Sequence, residues 1–207
     1  FLEAARRTAS HKPVIILKSG RSTPAAGAAL SHTGFFAGSH KVAEGAFRQA
    51  GLVTVDTYEN LVASAKALAF QPRARGNRVA LIGNGIGTIV QALDILGASG
   101  LRLAVLAPET LKRLRDVYPP FYVIQNPLDV TGSGTSEDYR IGLQALLADP
   151  GVDVVMPWFV FQDAPLDEDV VDKLVALDYS SGKPILGAAM GGLYTDHMIA
   201  QLESRGI

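Results

Sequence analysis

One histidine, His32, lies in a segment whose residue types could support nucleophilic chemistry. The segment Lys18–Ser39 reads KSGRSTPAAGAALSHTGFFAGS and contains four glycines and a row of alanines. The imidazole is flanked by Ser31, Thr33 and Gly34. A connection of about twenty residues without a hydrophobic period of its own is uncommon in a compact domain and is usually functional or disordered. We therefore predict a long loop that presents His32 as a nucleophile candidate.

A second candidate site is a glycine-rich turn between a predicted strand and a predicted helix, GNGIGTIVQAL. Its glycines at 83, 85 and 87 would let an anion approach bare backbone N–H groups at the positive end of the helix dipole. The dinucleotide fingerprint GxGxxG fits poorly, because Thr88 takes the place of the third glycine and no acid follows the next strand, LRLAVL. A P-loop is excluded because no GKS or GKT is present. The residues leave a plain turn, a phosphate-binding turn and a dinucleotide site open.

The residues around the histidine read as alternating helices and strands. The segment VAEGAFRQA is predicted to place Val42, Ala46, Phe47 and Ala50 on one helix face. Strands that alternate with helices predict a parallel sheet covered on both sides. In chain order we predict a helix over Leu2–Ala9, a strand over Val14–Lys18, the long loop, a helix over His40–Gln49, a strand over Leu52–Val55 and a helix over Tyr58–Phe70.

A polar stretch, QPRARGN, is the predicted domain boundary, with Pro72 and Gly76 as breakers. We expect one domain over residues 1–70, a linker over 71–76 and a second domain over 77–207. In the second part, strands such as RVALIG and PILGAA have no polar alternate face, as expected when helices cover both sides of a parallel sheet. The predicted fold class is α/β with a doubly wound parallel sheet, and its ligand edge lies where strands end and helices begin.

The composition excludes several classes of protein. The 207 residues carry a net charge of -1, which gives no electrostatic case for a nucleic acid or membrane partner. Cysteine is absent, so disulfides, thiolate chemistry and Cys-based metal sites are excluded. No apolar run approaches the roughly 18 residues of a membrane span. We expect a cytoplasmic protein, and the start at Phe1 in place of methionine suggests a piece of a larger one.

Several motifs occur together in an order typical of one enzyme family. SHTG followed by AGS, after KPVIILKSGRS and before AFRQAGLVTVDTYENL, resembles the phosphohistidine segment of the NDP-forming acyl-CoA synthetases, relatives of succinyl-CoA synthetase. NGIGTIVQALDILGASGL, NPLDVTGSGTSEDYRIGLQALLADPGVDVV and KPILGAAMGG resemble the ligase domain that follows. The resemblance covers nearly the whole chain. It implies two flavodoxin-like units, of which the first is only partly present.

The resemblance implies a reaction and a role for the histidine. The family interconverts acyl-CoA, ADP and phosphate with free acid, CoA and ATP through an enzyme-bound phosphohistidine. By this resemblance His32, on a mobile loop, takes the phosphoryl group from an acyl phosphate and passes it to the nucleotide. Imidazole suits this role, because a substantial fraction is uncharged and nucleophilic near neutral pH.

The resemblance also assigns the glycine-rich turn. Asn84, Gly85, Gly87 and Thr88 match a helix N-terminus that holds the phosphoryl group through N–H groups, without a metal. The turn is therefore our preferred phosphate site. In NPLDVTG, Asp129 and Thr131 match a further family motif, for which we expect a turn-forming role.

The rest of the enzyme is expected outside these residues. The resemblance implies CoA-binding and ATP-grasp domains or subunits as partners, acyl-CoA, phosphate and nucleotide as substrates, and an oligomer. CoA, ADP or ATP, and Mg²⁺ are expected at sites outside this chain, with no cofactor bound within it.

Two rival functions remain open. One is the acyl-CoA-synthetase-like regulatory region of a protein lysine acetyltransferase. Such regions often lack the histidine, so the presence of His32 favours the enzyme. The other is a noncatalytic α/β module that binds a nucleotide or phosphate at the GNGIG turn. One departure from the family, Phe35 and Phe36 where smaller residues are usual, bears on the mobility of the loop.

The remaining titratable residues are predicted to be structural. Three histidines have no supporting motif: His11, His40 and His197. Four acids suit a solvated helix start better than a cation site: Asp163, Asp167, Glu168 and Asp169.

Overall fold

The structure, a computed structural model, describes residues 1–33 and 39–207, and the side chains of all of these except residues 30–33. The chain divides into two compact units, Phe1–Ala69 and Phe70–Ile207. Both units are α/β with parallel strand pairing. No helix in the described part of the chain is both long and apolar enough to cross a membrane.

The first unit has a two-stranded parallel sheet with helices between and around the strands. Ile15 pairs with Val53 and Leu17 with Val55. A small core packs beside the sheet and contains Phe47, Ala50 and Leu52. The elements are α1 (Leu2–Ala9), β1 (Ile15–Leu17), α2 (Thr23–Thr33), α3 (His40–Gln49), β2 (Val53–Val55) and α4 (Tyr58–Phe70).

The prediction of a long loop over Lys18–Ser39 is wrong for half of that range, because helix α2 occupies Thr23–Thr33. Its sequence, TPAAGAALSHT, contains four alanines, and alanine is the best helix former of all residues. An alanine-rich helix need not show the hydrophobic period that marks an amphipathic one. Pro24 near the helix start agrees with the tolerance of proline in a first turn. The remaining part of the predicted loop, residues 34–38, lies outside the described residues.

One buried face was also predicted incorrectly in α3. Phe47 and Ala50 are buried, but Val42 is 72% exposed. The small core contacts α3 through Ala43 and Phe47, so the buried face begins one residue after Val42 and leaves Val42 on the exposed side of the helix. The bounds of α3, in contrast, match the prediction, since Gly51 follows with a φ of 76° and ends the helix.

The second unit alternates strands and helices around one sheet. Two helix starts follow their sequence signals: Pro108 is the first residue of α6, and Thr135 forms a capping box with Asp138 at α7. The elements are β3 (Arg78–Gly83), α5 (Ile86–Ala98), β4 (Arg102–Leu103), α6 (Pro108–Val117), β5 (Leu128–Asp129), α7 (Ser136–Ala148), β6 (Val154–Phe159), α8 (Asp169–Val175), β7 (Ala188–Ala189) and α9 (Leu193–Ser204).

The strand β3 is the centre of this sheet. The strand order is β4-β3-β6-β7, and β5 also pairs with β3. Strand β6 runs along β3 from Val79 to Gly83, so β4 and β5 must share the opposite edge. Alternate residues of β3 enter different cores: Ala80 and Ile82 pack with α6, α7, α8 and α9, while Val79 and Leu81 pack with α5. Helices on both faces make the sheet doubly wound, as predicted.

The strand predicted over LRLAVL is much shorter in the structure, and the Asn126 side chain explains why. Its Oδ1 accepts the N–H of Leu81 at 2.9 Å, and its Nδ2 donates to the carbonyl oxygens of Val79 and Ala104 at 2.8 and 2.9 Å. The Asn126 side-chain amide therefore makes the hydrogen bonds to β3 that a strand backbone would otherwise make between β4 and β5. Pairing of β4 with β3 stops at Leu103.

Candidate functional site

The glycine-rich turn lies at the carboxyl end of β3, in the middle of the sheet. Asn84 follows the strand directly and is 3% exposed, and α5 begins two residues later. The carboxyl ends of β5 and β6 flank it, because Gly83 pairs with both Asp129 and Trp158. In open parallel sheets this edge is where ligands bind. The fold therefore places the predicted phosphate site at the expected edge.

The Asn84 side chain continues the sheet after the backbone has turned away. Its Oδ1 accepts the N–H of Val160 at 2.9 Å, and its Nδ2 donates to the carbonyl oxygen of Val160 at 3.0 Å. Such a two-way pair imitates one residue of a parallel ladder. Asn84 therefore fixes the turn to the end of β6, and both ends of its side-chain amide bond within the protein.

A buried tyrosine on α7 completes this arrangement. The Tyr139 hydroxyl accepts the N–H of Asn84 at 2.9 Å, and its proton can be donated to Trp158 O at 2.5 Å or to Asn84 Oδ1 at 2.9 Å. Burial raises the pKa of Tyr139 far above its ordinary value, so the hydroxyl stays protonated at physiological pH. The ring stacks on Phe159 with centroids 4.8 Å apart. Sequence reasoning missed Tyr139, and nothing near it in the chain signals a contact with a residue 55 positions away.

The N-terminus of α5 has no side-chain cap. Gly85 is the N-cap, and Ile86, Gly87 and Thr88 are the first three helical residues. The first N–H groups of a helix have no partner within it, and a glycine N-cap offers no acceptor. Gly87 is exposed, and Thr88 uses its hydroxyl to donate to Gly85 O at 2.8 Å. The turn can therefore offer backbone N–H groups, and the positive end of the helix dipole, to an anion.

The glycines of this turn meet different surroundings. A Cβ on Gly85 would lie 2.7 Å from Val160 Cγ2, and one on Gly83 would lie 2.8 Å from Ile89 Cδ1 and 3.0 Å from Trp158 O, so a side chain at either position would displace its neighbours. A Cβ on Gly87 would meet nothing within 4 Å. Close packing therefore explains the first two glycines, whereas packing does not explain Gly87.

The loop after β5 lies beside this turn and forms the structure expected for its motif. Asp129 Oδ1 accepts the N–H of Thr131 at 2.8 Å, and Thr131 adopts a φ of 55°, which is unusual for a β-branched residue. Gly134 N donates to Thr131 O at 3.1 Å and closes the turn. The turn-forming role predicted for Asp129 and Thr131 agrees with these contacts. Asp163, on the loop after β6, is also near, since a Cβ on Gly132 would lie 3.7 Å from its Oδ2.

The histidine segment belongs to the first unit. Ser31, His32 and Thr33 form the last turn of α2, which ends at Thr33. The side chains of these three residues and the whole of Gly34 lie outside the description. His32 lies in the first unit, whereas Asn84 and Gly87 lie in the second, and the role of His32 as the nucleophile stays a prediction.

The other predicted structural residues have local contacts. His11 bonds through Nδ1 to Arg7 O at 2.9 Å, and His197 lies 2.8 Å from Gln201 within α9. His40 begins α3 and lines a small pocket with Lys18 and Arg21, and its Nδ1 has no hydrogen-bond partner among the described residues.

Three of the four acids lie at the start of α8, whereas Asp163 lies on the loop after β6, so the prediction of a helix start is wrong for Asp163. Glu168 is the N-cap of α8 and Asp169 its first residue. Asp167 Oδ1 accepts the Ser136 hydroxyl at 2.8 Å and the N–H of Asp169 at 3.3 Å. Over residues 1–33 and 39–207, no cluster of three or more His, Cys, Asp or Glu side chains suits a metal ion.

The two units match two known domain families. Residues 1–68 match the succinyl-CoA ligase like flavodoxin domain, and residues 79–167 match the Ligase-CoA domain. The chain belongs to the succinyl-CoA ligase-like proteins. The resemblance seen in the motifs and the predicted α/β fold class are thus confirmed.

Relatives of these succinyl-CoA ligase-like units cover the whole chain. The alpha subunit of the ADP-forming acetate–CoA ligase II of Pyrococcus furiosus is 36% identical over 212 residues, which include 100% of this chain and 46% of the relative. The ADP-forming 4-hydroxybutyrate–CoA ligase of Nitrosopumilus maritimus is 28% identical over 180 residues, 87% of this chain and 26% of that protein.

A solved structure agrees with these sequence matches. The dinucleotide forming acetyl-coenzyme A synthetase 1 of Ca. Korarchaeum cryptofilum, in complex with phosphate and ADP, has a TM-score of 0.90 and 32% identity. The match covers 100% of this chain and 45% of that one. The chain thus spans less than half the length of these relatives.

Proposed function

We propose that the chain is part of an ADP-forming acyl-CoA synthetase that works through a phosphohistidine. The observation that carries the proposal is a match over the whole chain to an alpha subunit of an ADP-forming acetate–CoA ligase, in a fold whose uncapped α5 N-terminus lies at the ligand edge. The reaction converts acyl-CoA, ADP and phosphate into free acid, CoA and ATP, and it is reversible.

In this proposal His32 carries the phosphoryl group. Its ring nitrogen attacks the phosphorus of an acyl phosphate, the bond from phosphorus to the acyl oxygen breaks, and the carboxylate leaves. The imidazole loses its proton, and the phosphoramidate then transfers its phosphoryl group to ADP. A neutral imidazole is nucleophilic near pH 7, which suits the first step.

The proposed phosphate site is the first turn of α5. The N–H groups of Ile86, Gly87 and Thr88 would donate to the phosphoryl oxygens, with the helix dipole adding to the attraction. Asn84 was predicted to donate its N–H to the phosphoryl group. That N–H donates to the Tyr139 hydroxyl instead, and the Asn84 side chain bonds to Val160. Asn84 would instead hold the turn in place.

The other parts of the enzyme are included in the proposal. The Pyrococcus furiosus relative is an alpha subunit, which supports a partner subunit or fused domains that supply CoA binding and an ATP-grasp fold. Acyl-CoA, phosphate and nucleotide are the proposed substrates, with CoA, nucleotide and Mg²⁺ bound outside these residues.

The reaction is tested with the full-length protein. Acetyl-CoA, ADP and phosphate should yield ATP, and omission of any one of them should abolish the product. Binding of phosphate without formation of ATP would support the noncatalytic module instead. Acetylation of protein lysines from acetyl-CoA without formation of ATP would support the acetyltransferase alternative.

The phosphate site is tested by a matched pair of alanine substitutions in α5. Gly87 and Gly97 both have open space around a Cβ, so each substitution should preserve the fold and raise helix stability by about 0.5 to 1 kcal/mol. The Cβ of a helical residue tilts toward the N-terminus, so Gly87→Ala should crowd the anion and raise the KM for phosphate about tenfold. Gly97→Ala should leave that KM unchanged. Equal KM values for the two variants would exclude the first turn of α5 as the site.

A further inference from the structure

The turn that carries the proposed phosphate site is held by contacts from outside its own sequence. It leaves β3 at Gly83 and enters α5 at Ile86, so only Asn84 and Gly85 connect the two elements. Gly85 has no side chain, and its neighbour Val160 would collide with one. The position of the turn therefore depends on what fixes Asn84.

Asn84 has two anchors, and they come from different elements. Val160, at the end of β6, pairs with the side-chain amide at 2.9 and 3.0 Å. Tyr139, in the second turn of α7, accepts the backbone N–H of Asn84 at 2.9 Å. The Val160 pair orients the side chain, and the Tyr139 hydroxyl fixes the backbone at the point where the chain turns into α5.

The Tyr139 hydroxyl is itself held in place. Tyr139 is 0% exposed, and its ring stacks on Phe159, which stacks in turn on Phe161. The hydroxyl also lies 2.5 Å from Trp158 O, on the residue that pairs with Gly83. One buried oxygen therefore joins α7, the end of β6 and the start of the turn.

We propose that Tyr139 is a positioning residue for phosphoryl binding, because its hydroxyl sets the backbone from which the N–H groups of Ile86, Gly87 and Thr88 are presented. The inference rests on the proposed function, since it assigns to the same site a residue that positions the phosphate-binding turn. Tyr139 does not touch the anion. It acts through Asn84, and a small displacement of the first turn of α5 changes the distance from each N–H to the phosphoryl oxygens.

The test uses Tyr139→Phe in the full-length enzyme, with Tyr118→Phe as its matched control. Tyr118 is also buried in the larger core, and its hydroxyl donates to Asp138 O, on the residue before Tyr139, rather than to the turn itself. Tyr139→Phe should raise the KM for phosphate by about 10-fold to 100-fold, since a misplaced binding group has effects of this size. The KM values for ADP and acetyl-CoA should stay at wild-type levels. Tyr118→Phe should leave all three KM values unchanged even where it lowers the melting temperature.

Two results would overturn the inference. One is a wild-type KM for phosphate in Tyr139→Phe, and the other is an equal rise in Tyr118→Phe, which would indicate general loosening of the core. His32→Ala, made as a separate single variant of the full-length enzyme, distinguishes the positioning role from the proposed function. If His32→Ala abolishes ATP formation while Tyr139→Phe remains like wild type, only the positioning role fails, whereas an active His32→Ala enzyme contradicts the proposed function itself.

A second variant covers the case in which Tyr139→Phe does not fold. Replacement of Tyr139 by 3-fluorotyrosine keeps the ring and the hydroxyl but weakens the oxygen as an acceptor for the N–H of Asn84. The KM for phosphate should then rise about twofold, with the fold retained. A KM equal to that of the wild type would count against the positioning role.

Discussion

Two asparagines in the second unit replace backbone groups at the edges of β3. Asn126 occupies ladder positions between β4 and β5, and Asn84 pairs with Val160 after the strand has ended. Both contacts join residues far apart in sequence. A single sequence can indicate that a glycine-rich turn follows β3, but it cannot indicate which amide side chain will bond to which strand. The candidate site was therefore located from the sequence, while Tyr139 and Val160 were not.

Asn126→Ala should destabilise the protein strongly. The substitution removes one acceptor and two donors, and it leaves the N–H of Leu81 without its partner. Buried groups left without partners cost about 1 to 3 kcal/mol, so we expect a loss of about 3 kcal/mol in the free energy of unfolding by urea. The neighbouring exposed amide gives the control, and Gln125→Ala should change that free energy by less than about 0.5 kcal/mol. Equal values for the two variants would show that Asn126 does not hold the strand edge.

Helices with clear end signals were predicted best, and short strands were predicted worst. The bounds of α3 and α4 match the sequence prediction, because a glycine follows α3 and the polar stretch QPRARGN follows α4. Strands β4 and β7 have two residues each, since their length depends on partners that the local sequence does not encode. Helix α2 was missed because alanine favours helix without giving a period.

The stabilisation of the fold by the ion pairs between α7 and α8 should depend on pH. Hydrogen bonds from Arg140 and Lys173 lower the pKa of Glu137 from 4.5 to about 2. A carboxylate whose pKa is lowered by folding stabilises the fold at pH values above its pKa in the unfolded state. This contribution disappears as the pH falls from about 4.5 toward 2. Glu137→Gln should therefore lower the free energy of unfolding at pH 7, by less than about 1 kcal/mol because the side chain is half exposed. At pH 3 the difference between the variant and the wild type should be smaller.

A mutant cycle over the three charged residues provides the control for this pair of helices. In a background that carries Arg140→Gln and Lys173→Gln, Glu137→Gln should have almost no effect at either pH. An effect that keeps its full size in that background would show that the ion pairs are not its cause.

At the scale of the whole molecule, the two units differ greatly in the cores they contain. The second unit has a large core that includes Tyr139, Leu143 and Leu174, and a smaller one around Ile89. The described core of the first unit has four buried residues, Ala5, Phe47, Ala50 and Leu52. Because stability depends on the apolar surface that is buried, the second unit should fold by itself more readily.

This difference predicts the behaviour of the separated units. Residues 70–207 expressed alone should unfold cooperatively, with the far-UV circular dichroism of an α/β protein. Residues 1–69 alone should show no cooperative transition in a thermal melt. A sharp melt of residues 1–69, or its absence in residues 70–207, would contradict the division of stability that the cores indicate.

The central claim is that His32 carries a phosphoryl group, and the most direct measurement is radiolabelling followed by mapping of the labelled peptide. Full-length protein incubated with ATP labelled at the γ-phosphate should acquire label that is stable in base and lost in acid, and mass spectrometry should locate it on the peptide that contains His32. His32→Ala should remove the label, whereas His40→Ala, eight residues further along the chain, should retain it. Label that persists unchanged in His32→Ala would contradict the account.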